Sequence, residues 1–158
     1  MKSLANKVEF AYSSIDEAFP PIDCQHKALG EFAIFQVRTP KRITAGGIEI
    51  PDEVRETEHY NTQVAKVVHL GPLAFKNRET GEAWPEGPWY AVGDFVRVPL
   101  HGGDRWTVKF ERKVPERKVG NVIHPAKIEK DEAIFVMFKD REARTAVTGD
   151  PLKIKAFI

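Results

Sequence analysis

The residues of this chain that could do chemistry are few and scattered. Five histidines, His26, His59, His69, His101 and His124, include no pair at a metal-ligand spacing. The one cysteine, Cys24, has no partner for an internal disulfide, which fits a reducing compartment and a plain buried thiol. The sequence holds no Gly-x-Ser-x-Gly, no His-Glu-x-x-His, no Cys-x-x-Cys and no Gly-x-x-x-x-Gly-Lys phosphate loop. His101-Gly102-Gly103 has the composition of an oxyanion-hole loop, but no strand–Ser–helix context accompanies it, so it reads as a turn. The adjacent acids Asp52-Glu53 and Asp131-Glu132 read as solvated surface. The expectation is a protein that is not an enzyme and needs no cofactor and no metal.

A binding element is easier to find. Residues 39–61 form a long polar stretch, and connections of that length inside a compact domain are usually functional or disordered. Within it, Gly46 and Gly47 relieve steric restriction, Ile48, Glu49 and Ile50 alternate apolar, polar, apolar, and Pro51 stops the run. In an extended backbone Ile48 and Ile50 project to the same side, which suits a groove on another protein. A short edge strand of the same domain, with the glycines as a bulge, accounts for the pattern equally well.

The elements that would carry this loop read as strands. The run 31–38 is rich in aromatic and β-branched residues, and 63–70 alternates loosely and stops at Gly71-Pro72. In 94–100, Phe95 and Arg97 face one way, Val96 and Val98 the other. Further strands are expected at 105–110, 132–138 and 152–158. Only 14–19 looks helical, with Ser14 and Glu17 at capping-box spacing and Pro20-Pro21 ending it. The chain thus reads as all-β, a small barrel, with an N-terminal extension at 1–29 and one domain at 30–158. A charged turn and a Trp/Pro-rich return occupy 76–91, and 111–130 is charged and proline-bearing.

Composition supports a single packed domain. Of 158 residues 42% are apolar, enough for a core without staples, and the 30% charged residues balance to a net +1. No apolar run reaches the length of a membrane span, and the first residues lack a signal peptide's apolar stretch, so a soluble, cytoplasmic protein is expected.

These residues, taken in order, resemble the GroES-like co-chaperonin family. Ala45-Gly46-Gly47-Ile48-Glu49-Ile50-Pro51 is similar to that family's mobile-loop motif. The strands at 31–38 and 63–71 resemble those that flank the loop, and 76–82 resembles the family's roof hairpin. Val92-Gly93-Asp94-Phe95-Val96 is similar to its Val-Gly-Asp-apolar-Val element, and 132–137 and 152–158 to its last two strands. The resemblance covers about 30–158, with 111–130 and 139–150 standing as insertions. The turn after the Gly-Asp strand lacks the family's usual tyrosine. The added segments bring the chain nearer to the divergent members encoded by tailed bacteriophages, which would place it in a host cytoplasm.

The resemblance implies a homoheptameric lid on a GroEL-type chaperonin ring, enclosing an unfolded client protein. It implies chaperonin contacts at Gly46, Gly47, Ile48, Glu49 and Ile50. It also implies that the first strand, through Phe32 and Ile34, pairs with a neighbour's last strand, through Leu152, Ile154, Ala156 and Ile158. Neither nucleic acid nor membrane is an expected partner. The alternative is a nucleic-acid-binding barrel, since 105–130 carries eight basic against three acidic side chains, with Trp106 and Phe110 available to stack bases. A phage structural subunit built on a small barrel is a third reading.

Overall fold

The structure is a computed structural model, and it describes residues 14–39 and 63–154. It is all-β, as the strand runs predict. β1 (Phe32–Val37), β2 (Val64–Leu70), β3 (Phe95–Arg97), β4 (Asp104–Val114), β7 (Lys127–Lys139) and β8 (Thr145–Ala146) make one antiparallel sheet in the order β4-β7-β1-β2-β3-β8. β5 (Arg117–Val119) and β6 (Val122–His124) form a separate small hairpin between β4 and β7. The one helix, α1 (Ile15–Ala18), is capped by Ser14, whose hydroxyl accepts from the Glu17 amide at 3.3 Å.

The barrel expected from sequence is an open sheet among the described residues. Its edges are β4 and β8, and β8, two residues long, pairs only with β3. β1 lies at the centre because it is apolar on both faces. Ala33, Phe35 and Val37 pack with Val67, Val96, Val136 and Phe138 on one side. Ile34 packs with Ala28, Val108 and Phe135 on the other. Fully burying an aliphatic or aromatic side chain contributes roughly 1.5–3 kcal/mol, so this strand and its neighbours dominate the fold's stability.

Each face has its own cover. The connection 71–92 lays Phe75, Tyr90 and Trp84 over the first. Phe75 sits edge-on to Tyr90 at 4.7 Å and to Trp84 at 5.4 Å. The N-terminal stretch, with Cys24 and Ala28, covers the second. There Gln36, buried, donates its amide to the Pro20 carbonyl at 2.7 Å, and Trp106 donates its indole N–H to the Cys24 carbonyl at 3.0 Å. The described part of the N-terminal extension, from residue 14, therefore packs on the sheet and adds Phe19, Cys24 and Ala28 to its cores. Its prolines and isolated apolar residues have no period because the segment follows the sheet surface without being a strand.

Two of the stretches read as insertions take definite shapes, and one expected strand is corrected. The charged stretch 111–130 is a continuation of the sheet: β4 and β7 pair without a break from Asp104↔Met137 to Val114↔Lys127, and β5–β6 closes the end. The stretch 139–150 supplies a 3₁₀ turn (Asp140–Glu142) and β8. Asp140 is wholly buried, and its carboxylate accepts from the Phe75 amide at 2.9 Å, which ties the 71–92 cover to the sheet. Finally, residues 152–154 are not a strand. Asp150 accepts from the Leu152 amide with its side chain and from the Lys153 amide with its carbonyl, which turns the chain.

Candidate functional site: the root of the 40–62 connection

The motif singled out by sequence, from Gly46 to Ile50, lies outside the described residues. What the structure defines is the frame from which that segment departs. β1 and β2 are adjacent antiparallel strands at the sheet centre, with Val37 opposite Ala65. Two to five residues suffice to join such a pair. Here residues 40–62 do so, and both departure points are clamped.

On the outgoing side, the Arg38 amide donates to the Val64 carbonyl at 3.0 Å, and the Thr39 amide to the Ala18 carbonyl at 2.7 Å. Arg38 is 1% exposed, and its guanidinium donates to the Pro151 carbonyl at 2.8 Å. On the returning side, the Gln63 carbonyl accepts from the Val98 amide at 2.8 Å, and its side-chain oxygen accepts from the Arg97 guanidinium. Behind these bonds Ala18, Phe19 and Val64 form a small core, joined by Phe95, Leu152 and Ile154. Phe19 and Phe95 meet with ring centroids 5.0 Å apart. Segments near both ends of the chain thus converge on the root and fix it.

The remaining site residues named from sequence fall in different places. Phe32 and Ile34 lie on β1, and β1 is hydrogen-bonded on both sides, to β2 and to β7. A neighbour's strand would have to displace one of these, so the pairing implied for β1 finds no free edge here. Leu152 and Ile154 pack against Phe19 and Val64 of their own chain. Ala156 and Ile158 lie outside the described residues. Sequence reasoning missed Arg38, Thr39 and Gln63. No local pattern reveals them, because Arg38 meets Pro151 across 113 positions.

The other motifs resolve into turns. Lys76 and Ala83 make a single bridge, and the Asn77 side chain accepts from the amides of Glu79 and Thr80 between them. Gly93 and Asp94 lead into β3, with the Asp94 carboxylate accepting from the Ala91 amide at 2.9 Å. Gly103 has φ +70°, and a Cβ there would stand 2.6 Å from the Met137 carbonyl, so this turn requires glycine. Among the described residues no three His, Cys, Asp or Glu side chains converge as a metal site, and no helix is long and apolar enough to cross a membrane.

In the basic stretch, acids stand opposite several of the basic residues. The register sets Lys109 opposite Glu132, Glu111 opposite Lys130 and Arg112 opposite Glu129. Arg112 also bonds Asp131 at 3.2 Å, and Lys127 reaches Glu129 at 2.7 Å. Trp106 contacts the His26 ring at 4.3 Å and the Phe135 ring at 6.0 Å. Its indole N–H is taken by the Cys24 carbonyl, and it is half-buried.

In comparisons with known proteins, no family model and no curated protein matches the chain.

Proposed function

We propose that this chain is a co-chaperonin, a lid subunit that binds a GroEL-type chaperonin ring through residues 46–50 and encloses an unfolded client beneath it. The observation that carries this reading is where the Gly-Gly-Ile-Glu-Ile motif sits: midway along a connection between two central, adjacent strands whose ends are both clamped. A rigid root with a long, glycine-bearing connection is the arrangement a tethered binding segment needs. The root sets the segment's position, and the segment brings Ile48 and Ile50 to a partner groove.

The physics of such a lid follows. A segment that orders on binding loses conformational entropy, so each contact is weak and reversible. In a homoheptamer the linked contacts raise the effective concentration at each remaining site, and avidity results. Weak single contacts let the lid leave when the partner's nucleotide state changes. ATP chemistry belongs to the large ring, and this chain acts without catalysis or cofactor, in the cytoplasm of a cell or of a phage's host. The nucleic-acid alternative is weakened by the acids that stand opposite basic residues along β4 and β7.

The test is to mix the full chain with a GroEL-type ring and ATP and to image the particles. Caps on the ring ends, absent without the chain, are expected. Bare ring ends at saturating chain concentration would overturn the reading.

A further inference from the structure

The second observation concerns the edge of the sheet farthest from β8. β4 presents an eleven-residue edge, Asp104–Val114, with an unbroken ladder to β7 on one side. Among the described residues no backbone group of this strand bonds to any other element. Nothing along it blunts pairing by geometry, since it contains no proline, no glycine and no bulge. Such an edge is a template for another strand.

Its sequence selects which strand. Around Val108 the charges mirror one another with opposite sign. Set antiparallel to a second copy with Val108 opposite Val108, Arg105 faces Glu111 and Asp104 faces Arg112, each twice by symmetry. Trp106 faces Phe110, also twice, and no like charges meet. Adjacent registers lack this match. Centring on Thr107 sets Arg105 against Lys109, and centring on Lys109 sets that lysine against itself and Arg105 against Lys113. Centring on Phe110 shortens the ladder and leaves one kind of ion pair. Cross-strand pairs of opposite charge and of aromatic rings are the contacts that stabilise a two-stranded ladder.

We infer that the β4 edge is a self-complementary interface that joins two copies of this chain about a two-fold axis through Val108, making one continuous sheet from two. The ions are placed for it. Arg105 and Glu111 are both exposed, and the Arg105 guanidinium is steadied by the Pro99 and Leu100 carbonyls at 3.2 and 3.3 Å. Arg112, opposite the incoming Asp104 in this register, is held by Asp131 and by the Glu17 carbonyl. An isologous contact of this kind is independent of the lid reading, because it uses neither residues 40–62 nor the sheet centre. If both hold, lids associate in pairs through β4.

Charge reversal with mixing tests it. Native mass spectrometry and sedimentation of the full chain should give an even number of chains. Glu111→Arg alone, or Arg105→Glu alone, replaces two attractive pairs by two repulsive ones and should raise the dissociation constant roughly thirtyfold, halving the particle mass at working concentration. An equimolar mixture of the two folded variants should restore the original mass, because each then meets its opposite across the axis. An odd number of chains in the wild-type particle overturns the inference. So does an unchanged mass for Glu111→Arg, or a mixture that fails to reassemble. Chaperonin capping in the same samples reports separately on the lid reading.

Discussion

The centre of the sheet and the ribbon that extends from its edge are built from the same antiparallel ladder, yet they are held by different forces. At the centre β1 has neighbours on both sides and a cover on both faces, and five of its six residues are buried. Beyond Val37 the ribbon of β4 and β7 continues alone. At about 3.3 Å per residue it runs about 20 Å past the end of β1. Past Phe110 its side chains are mostly charged, with Arg112 bonded to Asp131 and Lys127 to Glu129, and Ile128 stands 64% exposed near its end. An isolated two-stranded ribbon is marginal in water. Burial therefore makes the sheet centre a foundation, and a segment rooted there is held in place. A ribbon at the edge is instead free to meet another molecule.

The largest effect expected from this contrast is at the centre. Phe35→Ala removes a fully buried ring from beneath Tyr90 and should cost about 3–5 kcal/mol, read as a shift of the urea midpoint. Asp140→Ala comes next. It leaves the buried Phe75 amide without its acceptor and should cost about 2–3 kcal/mol, with the 71–92 cover exchanging its amides first.

Tyr90→Phe is smaller. It removes the hydroxyl that donates to the Asp140 carbonyl at 2.7 Å and should cost about 1 kcal/mol at neutral pH. Burial, and then the Asp140 charge, push the Tyr90 phenol above its ordinary value. The folded state thus holds this proton more tightly than the unfolded chain does. Its contribution is full below the ordinary tyrosine value of about 10 and is lost as pH rises beyond it. Denaturant midpoints from pH 8 to pH 12 should fall more steeply for the wild type than for Tyr90→Phe. Equal slopes would mean that Tyr90 ionises as freely in the fold as outside it. The smallest effect belongs to the ribbon: replacing both Lys109 and Glu132 by alanine should change stability by less than about 1 kcal/mol. A loss comparable to Phe35→Ala would erase the contrast between the two regions.

The two regions were also unequally legible. β1, β2 and β3 stand out because burial on at least one face forces apolar or alternating runs, and α1 shows through the Ser14–Glu17 spacing. The far half of the ribbon was hidden because, past Phe110 and Ala133, its side chains are mostly exposed and charged. Its exposed side chains are charged, so no apolar period marks 111–130, and charge with proline looks like a loop. The stretch 139–150 was hidden for another reason. Asp140 acts on Phe75 and Tyr90, which are distant in sequence, and a buried carboxylate leaves no local trace. At the root the position of the 39–61 stretch between two strands was legible from spacing. The clamp by Arg38, Thr39 and Gln63 was not, because its partners Pro151, Ala18 and Val98 are set by tertiary contact.

The fixed root changes how the additional N-terminal segment can be probed. Trimming residues 1–26 would strip Phe19 and Cys24 from two cores, so the whole sheet should weaken along with any change in client handling.

The central claim is that residues 48–50, presented from this root, bind the chaperonin ring, and a titration measures it most directly. Wild type, Ile48→Ser and Ile50→Ser would each be titrated into a GroEL-type ring with ATP, with binding followed by fluorescence anisotropy of the labelled chain and the fold checked by the urea midpoint. Saturable binding is expected of the wild type. A loss of at least about a hundredfold in affinity is expected for each variant, because small losses at every subunit compound, with midpoints unchanged. Equal binding by all three would contradict the central claim, as would no binding by the wild type.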